Sequence, residues 1–175
     1  MILKQLINID DYPFKLIHDD EVEIKGITFD SRLVRSGFIF FAFSGSNTDG
    51  HLFIEKAIEN GATVIVFSDP NFSIPANRKV SWIRVDDGRE ILAHIAAQFY
   101  GHPSREMRIF GITGTNGKTS TCFYLRNILE ENGTACGLMT TPKNFVGPDV
   151  YEAMNTTEES IQIQAFLKSM LDKGI

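Results

Sequence analysis

Apolar positions along the chain follow two periods. Short β-branched and aromatic runs at 24–30 (IKGITFD), 38–43 (FIFFAF), 62–67 (ATVIVF) and 80–85 (VSWIRV) fit strands, and the third is apolar enough to be buried on both faces. SRLVRSG reads as the turn between the first two. DGHLFIEKAIENG opens on Asp49, sets Phe53, Ile54, Ala57 and Ile58 at helical spacing, and stops at Gly61 as a C-terminal cap. After a loop rich in Pro, Asn and Ser (SDPNFSIPANRK) and the fourth strand comes a second helix, DGREILAHIAAQFYG. Its apolar face is Ile91, Leu92, Ile95, Ala96 and Phe99, and Asp87 with Glu90 has capping-box spacing.

At GHPSRE (101–106) the pattern breaks, because Gly101 and Pro103 end the helix and a new apolar run starts. Two domains are expected around it, 1–102 and 103–175. In the second, a strand over 107–113 leads through a Gly-rich loop into a helix over 119–132, with Cys122, Leu125, Ile128 and Leu129 on one face and Gly133 at its end. A second strand, TACGLMT, and a last helix follow, the latter showing Ile163, Phe166, Leu167, Met170 and Leu171 on one face. Two parallel strands and two helices enclose a thin core, since parallel sheets are normally covered on both faces and built from more strands. The expected class is therefore α/β: a small N-terminal α/β domain followed by the start of a second α/β domain, which reads as incomplete.

Composition narrows the function. With 43% hydrophobic and 22% charged residues in 175, the chain is globular. No apolar run approaches the roughly 20 residues that span a bilayer, and acidic residues enter the N-terminus too early for a signal peptide, so a cytoplasmic protein with no membrane partner is expected. Cys122 and Cys136 form no C-x-x-C pattern and read as reduced packing residues. A net charge of −5 argues against nucleic acid as a partner, which wants a basic stripe. Any anionic ligand has to be held by local groups.

GITGTNGKTS, residues 111–120, supplies such groups. It misses the Walker A spacing G-x-x-x-x-G-K-[ST] by one position, because Ile112 occupies the first-Gly slot. The chemistry is retained. A Gly-rich turn between strand and helix lets backbone N–H groups converge on one anion, and the helix N-terminus adds partial positive charge. Lys118 can neutralise β- and γ-phosphate charge, and Thr119 has a hydroxyl suited to Mg²⁺. The glycines run G-x-x-G-x-x-G, so a dinucleotide fingerprint is set aside. A GTPase or small kinase is disfavoured, since no N-K-x-D motif is present.

T-G-T-N-G-K-T resembles the ATP loop of the Mur ligases, where the one-residue departure is usual. FDSRLVRSGFIFFAFSGSNTDGHLFIEKAIENGATVIV is similar to the N-terminal domain of the two last-acting members, and FYGHPSREMRIFGITGTNGKTS with NTTEES resembles the earlier of these, the MurE type. The resemblance implies an ATP-dependent amide ligase of peptidoglycan precursor synthesis, with UDP-N-acetylmuramoyl dipeptide and a free amino acid (diaminopimelate or lysine class) as partners and ATP and Mg²⁺ as cofactors. It implies a UDP-muramyl domain first and an ATP-binding domain second. Residue by residue it implies ATP contacts from Gly114, Thr115, Asn116, Gly117, Lys118, Thr119 and Ser120, with Mg²⁺ on Thr119. Phe29 and Ser31 match positions that hold uridine diphosphate, Ser46, Asn47 and Thr48 match a nucleotide-contacting loop, and Asn155, Thr156 and Thr157 match an element that touches the muramyl peptide. Glu158 departs from the Pro that many relatives carry after the two threonines. No catalytic residue is assigned within the chain. The resemblance further implies that a metal-binding Glu and a carbamylated Lys lie beyond residue 175, so a noncatalytic binding module, completed by a separate C-terminal ligase fragment, stands as the alternative beside a MurF-type ligase.

Plainer roles compete at several positions. Thr156 with Glu159 also has capping-box spacing for the last helix, Asp30 suits a turn or a charge pair, and Arg32 a solvated surface. His51 fits a turn before its helix, His94 the flank of one, and Lys143 and Arg35 exposed surface.

Overall fold

The computed structural model describes residues 1–7, 15–17 (backbone), 21–45, 48–75, 80–141, 143–153 and 158–175. The chain divides into two compact units, Met1–Phe99 and Tyr100–Ile175. Among the described residues no helix is long and apolar enough to cross a membrane.

The first unit is built on a five-stranded sheet. Its strands are Lys15–Ile17 (β1), Gly26–Thr28 (β2), Phe38–Ala42 (β3), Ala62–Phe67 (β4) and Ser81–Arg84 (β5), in the order β1-β5-β4-β3-β2. The last four in sequence are mutually parallel, and β1 runs antiparallel at the edge, with Leu16 opposite Ile83. Leu3–Ile7 forms helix α1, Ile54–Glu59 helix α2 after a 3₁₀ turn at Gly50–Phe53, and Gly88–Phe99 helix α3.

Burial explains the parallel arrangement. Val64, Ile65, Val66 and Phe67 are all buried, so both faces of β4 are covered, as a parallel sheet requires. On one face Phe40, Ala42, Ile65, Phe67 and Trp82 pack with Ile54 and Ala57 of α2. Phe67, Phe72 and Trp82 form an aromatic trio with ring centroids 5.3 to 6.0 Å apart, each pair worth about 1 kcal/mol beyond its buried area. On the other, α3 begins against Phe43, whose ring sits where a Cβ on Gly88 would lie, 2.3 Å away. Asp87 starts that helix as expected, accepting the N–H groups of Arg89 and Glu90 at 2.9 and 3.2 Å.

The second unit contains Lys118–Glu131 (α4), Gly137–Met139 (β6), Lys143–Val146 (β7), Asp149–Glu152 (β8) and Ser160–Asp172 (α5). Val146, Leu167 and Met170 are the centre of a small core, with Met107, Met139, Ile163 and Phe166 packed on it.

Three expectations are corrected here. Residues 107–113 make no strand, and Ile109 and Phe110 are 54% and 57% exposed. A strand is defined by its ladder, and among the described residues no neighbour pairs with this segment. The strand expected at 134–140 is trimmed to β6, and its partner is the antiparallel β7, not a parallel neighbour. The last helix begins at Ser160, so Glu159 is its N-cap, reciprocally bonded with Gln162, instead of the third residue of a box opened by Thr156. The β7–β8 hairpin was not anticipated. Gly147, at φ 56°, and Pro148 form its two-residue connection, an arrangement that wants glycine first.

Candidate functional site

The Gly-rich loop turns into α4 at Gly117, which holds the N-cap position with φ 76°, a left-handed conformation that favours glycine. Lys118 and Thr119 therefore occupy the first turn of a 14-residue helix. The Lys118 ammonium donates to the Gly114 carbonyl at 2.6 Å, so the side chain curls over the loop it follows. A Cβ built at Gly111 or Gly117 would meet nothing within 4 Å, and residues 113–120 are all exposed, which leaves the concave side open to an incoming group. An ammonium, two hydroxyls (Thr119, Ser120) and a helix N-terminus on one open turn suit a polyphosphate.

Next to this turn stands the end of β6. Thr140 Oγ1 lies 3.4 Å from Thr119 Oγ1, and the Thr140 N–H donates to Oδ1 of the buried Asn144 at 3.0 Å. Thr140, Thr141, Asn144, Ala153, Glu158 and Ile163 border a cavity of about 230 Å³. Ala153 and Glu158 bracket residues 154–157, which include Asn155, Thr156 and Thr157 and lie outside the described residues. Sequence reasoning missed Thr140 and Asn144. The apolar–polar switch at "GLMTTPKN" was their only signal, and it says nothing about which loop they face.

In the first unit the predicted substrate residues fall at the carboxyl ends of parallel strands, where ligands of open α/β sheets bind. Phe29 and Ser31 follow β2; Phe29 is 40% exposed and Ser31 only 8%, so the aromatic ring is the accessible member of the pair. The turn is fixed by its own sequence. The Thr28 hydroxyl accepts the Asp30 N–H at 3.1 Å, the Asp30 carboxylate accepts the Arg32 N–H at 2.9 Å, and the Arg32 guanidinium pairs with the same carboxylate at 2.7 Å. The hydrogen bonds from Arg32 hold the Asp30 carboxyl below the usual carboxylate range. Asp30 thus takes its plainer role, in a turn and a charge pair. Asn60, just past α2, donates to the Ser31 carbonyl at 2.8 Å and anchors the turn from 29 residues away.

The loop after β3 carries Thr48, which is exposed; Ser46 and Asn47 lie outside the described residues. Its base is closed by two backbone bonds, Gly45 N–H to the Thr48 carbonyl and Gly50 N–H to the Phe43 carbonyl, both 2.9 Å. Asp49 Oδ1 accepts from the Ser44 hydroxyl (3.2 Å), the His51 N–H (3.1 Å) and the His51 ring Nδ1 (2.6 Å). Hydrogen bonds from His51 hold the Asp49 carboxyl low. Among the described residues no group of three His, Cys, Asp or Glu could hold a metal ion, so Thr119 remains the one metal-directed residue expected from the loop.

Fold and loop together define an α/β protein with an open Gly-rich loop at the N-terminus of a helix. Two family models match it, one described as the Mur ligase family, catalytic domain, over residues 23–100, and one as the Mur ligase middle domain, over residues 112–175. The chain belongs to the Mur ligase family. It is 43% identical over 155 residues to the UDP-N-acetylmuramoyl-L-alanyl-D-glutamate--2,6-diaminopimelate ligase of Clostridium tetani, covering 89% of this chain and 32% of the relative. It is 39% identical over 175 residues to the ligase of that name from Clostridium botulinum, covering 100% of this chain and 35% of the relative. Similarity to the UDP-N-acetylmuramyl-tripeptide synthetase of a Roseiflexus species is 42% identity over 154 residues, 88% of this chain and 30% of the relative. The chain spans about a third of the length of the curated relatives it matches. Among solved structures, a UDP-N-acetylmuramoyl-L-alanyl-D-glutamate--2,6-diaminopimelate ligase superposes with TM-score 0.71 at 20% identity, over 99% of this chain and 34% of its own, a likeness of fold. A MurF ligase from Thermotoga maritima, in complex with ADP, gives TM-score 0.52 at 25% identity over 83% of this chain and 29% of its own.

Proposed function

We propose that these 175 residues are the substrate-binding part of an ATP-dependent, MurE-type amide ligase acting on UDP-N-acetylmuramoyl-L-alanyl-D-glutamate in the cytoplasm, with diaminopimelate as the amino acid named in its relatives. The supporting observation is the juxtaposition in the second unit. The turn Gly117–Lys118–Thr119 stands beside Thr140, and the adjoining cavity is bordered by Ala153 and Glu158, the described residues nearest in sequence to Asn155, Thr156 and Thr157. A phosphate donor and a muramyl-peptide carboxylate would be held side by side. A carboxylate is a poor electrophile; its oxygen takes the γ-phosphoryl group of ATP, releasing ADP, and the attacking amine then expels phosphate from the acyl phosphate through a tetrahedral intermediate, losing a proton to leave the amide. Most of the work in the first step is positioning and charge neutralisation. Lys118 serves the β- and γ-phosphates and residues 114–117 and Ser120 the phosphate oxygens, and the Thr119 hydroxyl would hold a Mg²⁺ ion, which would supply further charge neutralisation there. Phe29, Ser31 and the 46–48 loop hold the uridine diphosphate end.

A MurF-type reading draws on fold likeness at 22–25% identity, and the sequence relatives at 38–43% favour the MurE type. For the isolated chain the activity assigned is binding, and ligation belongs to the protein at the length of its relatives, whether as one polypeptide or with a separate C-terminal fragment. Calorimetric titration of Mg·ADP tests the cradle. Lys118→Ala is expected to weaken binding roughly 10- to 100-fold, the value of a charge-assisted contact, and unchanged affinity refutes it. Ligation assayed with the isolated chain, ATP, UDP-muramyl dipeptide and diaminopimelate is expected to give no product; turnover would overthrow the division of labour.

A further inference from the structure

We propose that His51 is a positioning residue for the uridine-diphosphate edge of the first unit, its imidazole acting as a rigid spacer between the loops that follow β3 and β4; the inference rests on the assignment of UDP to that edge. Three observations carry it. The ring's Nε2 lies 3.3 Å from the Ser68 nitrogen and 3.1 Å from the Asp69 nitrogen, and both are backbone N–H donors. Nε2 therefore accepts and bears no proton, so the proton of the neutral ring sits on Nδ1, which donates to Asp49 Oδ1 at 2.6 Å. One tautomer, with donor and acceptor at opposite ends of a flat ring, satisfies all three partners.

The second observation is burial. The His51 side chain is 7% exposed, with the Phe72 ring centroid 6.3 Å away, so the bridge sits in packed surroundings where each hydrogen bond counts for more than it would in water. The third is place. Asp49 closes the 44–49 loop, which bears Thr48, and Ser68 and Asp69 follow the carboxyl end of β4, the strand paired in parallel with β3. A histidine that only started the 3₁₀ turn would need its backbone N–H and the Asp49 cap. This one also reaches residues 17 and 18 positions ahead and fixes the separation of two loops on the edge where Phe29 and Ser31 lie. Lysine and arginine cannot replace it because neither accepts a hydrogen bond, and asparagine is too short to serve both ends.

The test uses the 175-residue chain and UDP itself as probe. His51→Phe keeps the ring and removes both nitrogens; UDP affinity is expected to fall roughly 10-fold, on the scale of one or two hydrogen bonds, while Mg·ADP affinity at the second unit's cradle changes less than about 2-fold. His51→Gln, whose amide oxygen reaches the place of Nε2 and restores the acceptor for Ser68 and Asp69, is expected to regain part of the loss. A folded His51→Phe that binds UDP as the parent does overturns the proposal, as does a loss that His51→Gln leaves unrepaired. If His51→Phe fails to fold, the parent decides the matter by ¹⁵N NMR: imidazole signals with the proton on Nδ1, and UDP-induced shifts of the Ser68 and Asp69 amides, support it, and their absence refutes it. Failure of the parent to bind UDP, or indifference to Ser31→Ala, would sink the underlying assignment of the site instead.

Discussion

Every residue of β4 from Val64 to Phe67 is buried in the first unit, whereas α4, the longest helix described in the second, has no buried residue, and Ile109, Phe110, Tyr124 and Ile128 beside or within it stand exposed. The two also differ in sequence, since ATVIVF is apolar but for Thr63, while KTSTCFYLRNILEE mixes apolar with many polar and charged residues. They differ as well in what covers them among the described residues. The first unit surrounds its sheet, so pattern becomes core; the second has its phosphate-type loop on an element whose apolar side chains find few neighbours. Segments with few buried contacts open locally at low cost, so the loop and α4 are expected to exchange amide protons well before β3 and β4.

The contrast can be broken by mutation. Phe67→Ala, at a residue 1% exposed in the aromatic trio, is expected to cost about 3–5 kcal/mol, read by denaturant unfolding through the fluorescence of Trp82, the single tryptophan, which reports on the first unit. Tyr124→Ala, at 69% exposure, is expected to stay within about 0.5 kcal/mol of the parent. Equal effects would remove the distinction between the units.

Glycine substitutions sharpen it at a smaller scale. A Cβ at Gly50 would lie 2.7 Å from the Phe43 carbonyl oxygen and 2.8 Å from its nitrogen, backbone atoms that cannot swing away, so Gly50→Ala is expected to cost about 1–3 kcal/mol. At Gly137 the obstacle is the thioether end of Met170, 2.3 Å from such a Cβ, and a flexible methionine can relocate; about 1 kcal/mol or less is expected. Thermal unfolding of the two variants ranks them, and the reverse order would mean that the second unit is the more rigidly packed.

The smallest effect is one of pH. Arg32 lowers the folded-state pKa of Asp30, so the stability this pair contributes is fully present above the ordinary carboxylate value, near about 4, and is lost as pH falls through the lower folded value. Because Arg32 is largely exposed, solvent screens the pair and the contribution is modest. Asp30→Asn is expected to flatten part of the acid limb of the first unit's stability curve and leave the neutral region nearly unchanged. An acid limb identical to the parent's would show that the pair is inert.

Much of the first unit was legible because its strands are short apolar runs between clear turn signals. The run at 62–67 matches β4 residue for residue, and 38–43 overshoots β3 by Phe43 alone. The edge strand β1 was not, since three residues beside acidic and proline-containing sequence show no period, and only pairing with β5 makes them a strand. In the second unit the apolar run at 107–113 implied a ladder that is not formed among the described residues, while Gly147–Pro148, a turn signal in plain view, went unused. Of the candidate site, the loop-to-helix turn at Gly117, Lys118 and Thr119 could be read from spacing because it is local in sequence. Thr140, Asn144 and Asn60 could not, because their relevance arises from contacts 21 to 29 residues away in the chain or through such a contact.

The strand order has a consequence for how the first unit is assembled. From β2 to β5 each parallel strand is laid beside the one made just before it, so these contacts join successive segments. β1 is the exception: made before all of them, it pairs among the described residues with β5, made last, through Leu16 opposite Ile83. During synthesis the N-terminal edge therefore has to wait until residues 81–84 have emerged, and closing that long loop is an entropic step the other pairings avoid. In the finished sheet the oldest strand lies beside the youngest.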